Sequence, residues 1–128
     1  MELDKFTLAY IECALWASND ESDENGGEPL DANYSASDLA PETLEAMKAD
    51  CAAFQKAHAA DIAAGPDGPD FDRYERAGHD FFLTRNHHGS GFWDGDYEEE
   101  VGERLTTASH AFGEVDLYVG NDGLIYAD

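Results

Sequence analysis

Three segments of the chain carry apolar residues at the three- and four-residue spacing of helices that pack on a core. They span residues 3–18, 41–64 and 97–112, and the last two run into helix-stop signals at Gly65-Pro66 and Gly113. The pattern predicts three helices. Their apolar positions are Leu3, Phe6, Leu8, Tyr10, Ile11, Leu15 and Trp16; Leu44, Met47, Cys51, Phe54, His58 and Ile62; and Tyr97, Val101, Leu105, Ala108 and Phe112.

Cap signals agree with these helices. Ser37-Asp38 is predicted to cap the second helix, and Pro41 suits its first turn. Asp96 followed three residues later by Glu99 resembles a capping box for the last helix. A short additional helix is expected over residues 71–78.

Two other stretches favour β-hairpins. Residues 115–126 alternate apolar and polar positions around an Asn-Asp-Gly turn. Residues 79–96, HDFFLTRNHHGSGFWDGD, place a β-prone apolar run before a glycine-rich turn and Phe92-Trp93 after it. The sequence therefore predicts an α+β fold, with about four antiparallel strands from two hairpins packed against three to four helices. Residues 1–128 are expected to form a single domain with an acidic loop at about 19–36.

The charge of the chain is its most unusual property. There are 29 acidic residues and 7 Lys or Arg, a formal net charge of −22. Such a chain repels itself and other polyanions, so direct binding to nucleic acid or to an anionic membrane is excluded, and partners are expected to be basic. Cys13 and Cys51 lack metal-ligand spacing, residues 1–10 do not resemble a signal peptide, and no apolar run reaches the length of a membrane span. A cytoplasmic protein is therefore expected.

Three chemical alternatives are weaker. The acidic loop does not follow the ligand pattern of a calcium-binding loop. His79, His87 and His88 beside acidic residues suggest a metal site, but adjacent turn histidines rarely share one ion. Asp80, Arg85 and His88 resemble an acid/base set. A structural interpretation is favoured, in which Arg85 and Asn86 bond to loop carbonyls and Asp80 neutralises Arg85. No catalytic residue, metal or cofactor is assigned.

A family resemblance rests on two segments. The first contains Thr84-Arg85-Asn86, His88-Gly89 and residues 91–94 (GFWD), and the second is residues 111–119 (AFGEVDLYV). They resemble a segment, TRNGHGxGFWD followed by AFGEVDLYV, of small and mostly uncharacterised proteins carried by bacteriophages and conjugative plasmids. His87 departs from that pattern, which has glycine there. The resemblance implies an origin in mobile genetic elements.

With that origin, the acidity resembles that of DNA-mimic proteins, which phages and plasmids use against restriction enzymes and CRISPR complexes. The 22 excess negative charges match about 37 Å of duplex, and a compact domain of this length is about 36 Å across. The predicted function is inhibition of a basic DNA-binding host defence protein or complex, and a homodimer would lengthen the mimic. The predicted binding residues are Asp20, Glu21, Asp23, Glu24, Glu28 and Asp31 in the acidic loop, and Asp94, Asp96, Glu98, Glu99, Glu100 and Glu103 around the start of the last helix.

Two alternatives to mimicry stay open. An acidic, lysine-poor surface is also typical of proteins from a halophilic cytoplasm. A small enzyme or metal-binding protein would instead use the predicted hairpin at residues 79–96.

Overall fold

The computed structural model describes residues 4–20, 28–30, 34–65, 72–86, 92 and 97–127, and these are mostly helical. The α-helices are α1 (Lys5–Ala17), α2 (Pro41–Ala63), α3 (Arg73–Arg85) and α4 (Glu99–Ala111), and a short 3-10 helix covers Ala36–Asp38. Two separate antiparallel ladders complete the described structure. They pair β1 (Asn19–Asp20) with β2 (Glu28–Pro29), and β3 (Leu117–Val119) with β4 (Ile125–Ala127).

The predicted α+β fold with four strands packed against helices is wrong. Residues 79–85, predicted to begin a hairpin, continue α3 instead. The helix starts at a capping box in which the Asp72 side chain accepts from the Glu75 amide at 2.9 Å, and it continues through Gly78 to its C-cap at Asn86. Phe81 and Phe82 are both buried. Neighbours on a strand point to opposite faces, whereas one broad helical face can bury both rings.

Helices α1, α2 and α4 were correctly predicted, and Pro41 lies in the first turn of α2 as expected, but the N-caps predicted for α2 and α4 are wrong. Asp4 caps α1 by accepting from the Thr7 amide at 2.7 Å. Helix α2 has Ala40 at its N-cap without a side-chain hydrogen bond, because Asp38 closes the 3-10 helix in a capping box with Ser35. The N-cap of α4 is Glu98, also without a side-chain bond, and the Asp96 predicted for this role lies outside the described residues.

The core forms where α1 crosses α3 and both pack on α2. Gly78 permits the crossing, because a β-carbon at this position would lie 2.2 Å from the carbonyl oxygen of Phe6. The Phe54 ring of α2 stacks on Phe81 at 4.2 Å between centroids, and Phe92 packs on the other residues of this aromatic cluster. The apolar stripe predicted for α2 faces this core, with Met47, Cys51, Phe54 and Ile62 buried.

The C-terminal hairpin is confirmed. Strands β3 and β4 place Tyr118 opposite Tyr126, and Gly123 in the turn has a φ of 82°. Leu117 and Ile125 are buried, and the Ala40 amide donates to the Ile125 carbonyl at 2.9 Å. The hairpin is thereby attached at the start of α2. None of the helices in the described residues has the length and apolarity needed to cross a membrane.

Candidate functional site

The first turns of α4 carry a group of exposed carboxylates. Glu98, Glu99, Glu100 and Glu103 are all exposed, and we call these four residues the α4 acidic surface. Negative charge at the start of a helix is favourable, because it lies against the positive end of the helix dipole. Glu99 and Glu103 are one turn apart on the same face.

The buried face of α4 determines that these carboxylates point outward. Gly102, Leu105 and Ser109 are its buried residues. Gly102 lies so close to the backbone of Phe92 that a β-carbon would approach the Phe92 carbonyl oxygen to 2.8 Å. Because one side of the helix is held against the core, the glutamates lie on the solvent side.

The ion pairs of the described residues use other acids. Lys5 pairs with Asp72 at 2.7 Å, Arg85 with Asp50 at 2.9 Å, Arg104 with Asp61 at 2.7 Å and Lys48 with Glu45 at 3.4 Å. The hydrogen bond from Lys5 lowers the pKa of Asp72, and that from Arg104 lowers the pKa of Asp61. Within the described part of the chain, Glu98, Glu99 and Glu103 make no ion pair, so their charges are directed at solvent.

The other predicted binding residues are only partly placed. Asp20 and Glu28 pair with each other through the backbone of β1 and β2. The remaining residues of the predicted surface lie outside the described residues: Glu21, Asp23, Glu24, Asp31, Asp94 and Asp96.

The residues considered for metal or acid/base chemistry are only partly described. His79 lies in α3, where burial lowers its pKa, and His87 and His88 are outside the described residues. Among the residues that the structure describes, no three His, Cys, Asp or Glu side chains are grouped to hold a metal ion. Burial raises the pKa of Cys13 to about 12 and also raises that of Cys51, so both thiols are protonated at neutral pH.

Arg85 has a structural role. It is 2% exposed and donates to the carbonyl oxygens of Phe112 and Gly113 at 2.9 and 2.8 Å, at the C-terminal end of α4. It also donates to the Tyr10 hydroxyl at 3.0 Å. The predicted bonding to loop carbonyls is correct for Arg85, and the carboxylate that the structure places against it is Asp50 of α2. The alternative acid/base role would require Arg85 to reach a substrate, whereas its contacts hold it inside the fold.

The residues beside Arg85 join the same two regions. The Asn86 side chain accepts from the Val115 amide at 2.8 Å and donates to the Phe82 carbonyl at 2.9 Å. Thr84 accepts from the Phe92 amide at 3.2 Å. The two sequence segments that suggested a family resemblance are therefore connected by hydrogen bonds between the ends of α3 and α4.

No family model, curated protein or solved structure matches this chain. The function must be inferred from its own residues.

One exposed feature was missed in the sequence. Tyr118 is 50% exposed and stacks on Tyr126, with the ring centroids 5.8 Å apart. The hairpin signal already contained this information, because the Asn-Asp-Gly turn sets the register that places these two residues opposite each other.

Proposed function

We propose that this protein binds the basic DNA-binding surface of another protein and blocks it by mimicking DNA. The observation that carries the proposal is the α4 acidic surface, in which four exposed carboxylates lie close together and three of them form no ion pair within the described structure. A basic channel attracts closely spaced negative charges on a rigid support much as it attracts phosphates.

The spacing of the charges supports this proposal. From Glu98 to Glu103 the chain rises about 7.5 Å at the helical pitch. The four carboxylates are therefore on average about 2.5 Å apart along the axis, which is comparable with one charge per about 1.7 Å of axis in duplex DNA. Together with the resemblance to phage and plasmid proteins, this favours a host defence enzyme, such as a restriction enzyme or a CRISPR effector complex, as the target.

Neutralising the α4 acidic surface is expected to reduce inhibition strongly. The variant Glu98→Gln, Glu99→Gln, Glu100→Gln removes three negative charges while keeping side-chain size. We expect at least a tenfold loss in its ability to displace labelled duplex DNA from the target, measured by fluorescence anisotropy across a panel of restriction enzymes and CRISPR effector complexes.

A variant with the same change in net charge serves as the control. It neutralises three exposed acids outside the α4 acidic surface, through the substitutions Glu12→Gln, Glu42→Gln and Asp116→Asn. This control is expected to displace DNA nearly as well as the wild type. Equal losses in both variants would mean that net charge alone acts, and no loss in either would remove the α4 acidic surface from the mechanism.

Salt separates mimicry from halophilic adaptation. A mimic is expected to be folded in about 0.1 M salt and to release its partner as salt rises, because salt screens exposed charges. A halophilic protein would instead unfold in dilute buffer and refold in molar salt. Circular dichroism across this range of salt, with DNA displacement measured in parallel, distinguishes the two.

A further inference from the structure

The C-terminal hairpin presents two stacked tyrosines and a carboxylate on one exposed face. Tyr118 and Tyr126 are directly opposite in the β3–β4 ladder, with their ring planes 23° apart. Asp122, in the turn, accepts from the Tyr126 hydroxyl at 2.6 Å. Together with Gly120, these three residues line a shallow depression that we call the tyrosine shelf.

Hydrogen bonds hold the carboxylate of the shelf in its ionised form. The bond from the Tyr126 hydroxyl, together with a second bond from the Leu124 amide at 3.0 Å, lowers the pKa of Asp122. The same bond to Asp122 raises the pKa of Tyr126 to about 12, so the phenol keeps its proton at neutral pH. A carboxylate has about four acceptor positions, and these two bonds leave others for a ligand.

Gly120 allows the Tyr126 ring to take its place on the shelf. A β-carbon at this position would lie 2.5 Å from Cε2 of Tyr126 and 3.1 Å from Oδ1 of Asp122. Any larger residue would push the ring away from the carboxylate. The arrangement of ring and charge therefore depends on a glycine at the end of β3.

We propose that the tyrosine shelf binds the guanidinium group of an arginine side chain from a protein partner. A guanidinium is planar and always charged, so it can stack on a tyrosine ring while its N–H groups donate to Asp122. The net charge of −22 disfavours an anionic ligand, and the negative charge of Glu42 acts on Tyr126 and adds to the attraction for a cation. A lysine ammonium would also be attracted by the negative charge of the site, but it is not planar and cannot stack on the tyrosine ring as a guanidinium does.

The tyrosine shelf is separate from the α4 acidic surface. The hairpin is bonded to Ala40 at the start of α2, whereas Gly65, just beyond the end of α2, lies against Tyr97, which precedes α4. Helix α2 has 23 residues with a kink at His58, and the two sites lie at its opposite ends. The shelf can therefore be tested independently of DNA mimicry.

The test uses N-acetylarginine amide as the probe and the ring resonances of Tyr118 and Tyr126 in NMR spectra as the signal. At low salt, the arginine probe is expected to shift both rings in a saturable manner. The neutral isostere N-acetylcitrulline amide is expected to cause no saturable shift. Equal responses to the two probes would overturn the proposal, because they would show that the guanidinium charge is not recognised.

Variants identify the groups responsible. Tyr118→Leu is expected to weaken binding of the arginine probe about two- to fivefold, whereas Tyr118→Phe, which keeps a ring, retains most of the affinity. Tyr74→Leu, at an exposed tyrosine on α3, is the matched control and leaves affinity unchanged. Wild-type affinity in Tyr118→Leu would overturn the proposal.

Two further measurements guard against indirect effects. If Tyr118→Leu disturbs the hairpin, Asp122→Asn keeps both rings and is expected to weaken the probe at least as much; unchanged affinity in this variant would also contradict the proposal. The variant with Glu98, Glu99 and Glu100 changed to Gln is expected to keep the probe-induced shifts, so a failure of DNA mimicry can be distinguished from a failure of the shelf.

Discussion

Arg85→Ala is expected to lower the free energy of unfolding by about 3 kcal/mol, the lower end of the range for breaking a buried ion pair, because Arg85 is buried but the Asp50 side chain is 38% exposed. The substitution removes bonds to two carbonyls at the end of α4, to the Tyr10 hydroxyl and to Asp50. It also removes a cation that lies 5.5 Å from the centre of the Phe81 ring. The two carbonyls and the hydroxyl lose a charged donor inside the fold. Urea denaturation followed by circular dichroism measures the loss.

Two comparisons make this prediction specific. Arg104→Ala removes the bidentate pair with Asp61, but Arg104 is half exposed and we expect a much smaller loss. Arg85→Lys keeps the charge without the planar fork of donors, so it should recover only part of the stability. If Arg85→Ala is as stable as Arg104→Ala, the buried network does not hold the helix ends together.

Gly78→Ala is expected to destabilise the fold by about 3 kcal/mol, near the upper end of the usual cost of overpacking. Alanine is intrinsically better than glycine inside a helix by about 1 kcal/mol, so a loss would show that packing outweighs this preference. The added methyl would lie 2.2 Å from the Phe6 carbonyl oxygen, which belongs to the backbone of α1 and cannot move aside alone. Helices α1 and α3 would have to separate.

Gly102→Ala is the matched control for Gly78→Ala. It is also a buried helical glycine that faces a carbonyl oxygen, but its β-carbon would lie 2.8 Å away, at Phe92. The gain in helix preference is the same for both, so the difference between the two unfolding free energies reports the closeness of packing. Gly102→Ala should cost about 1 kcal/mol. An equal or greater loss for Gly102→Ala would contradict the importance of the α1–α3 crossing.

The ion pairs formed by Lys5, Arg85 and Arg104 connect the stability of the fold with the proposed function. Lys5 joins α1 to Asp72 at the start of α3, Arg85 joins α3 to α2, and Arg104 joins α4 to α2. These positive charges lie between structural elements and neutralise acids near them. The glutamates at the start of α4 are left facing solvent, which is where a basic partner would meet them.

The site was predictable only in part. Exposure of Glu98, Glu99 and Glu100 follows from the sequence, because they lie between the apolar positions Tyr97 and Val101 and charged side chains are rarely buried. The carboxylate partner of Arg85 could not be predicted from the sequence. Asp80 is closer in the chain, but Asp50 is brought to Arg85 by the packing of α2 against α3. Sequence distance carries little information about such contacts between helices.

The sequence by itself determined α1, α2, α4 and the C-terminal hairpin, because each has its own repeat of apolar positions, and α2, α4 and the hairpin also have a stop or turn signal. Only the tertiary structure decided the state of residues 79–85. A short apolar run such as Phe81 to Leu83 is compatible with both a strand and a buried helix. The helix is selected by residues distant in the chain. Phe6, Tyr10 and Phe54 pack around the Phe81 ring, and a helix at residues 79–85 places Phe81 among them.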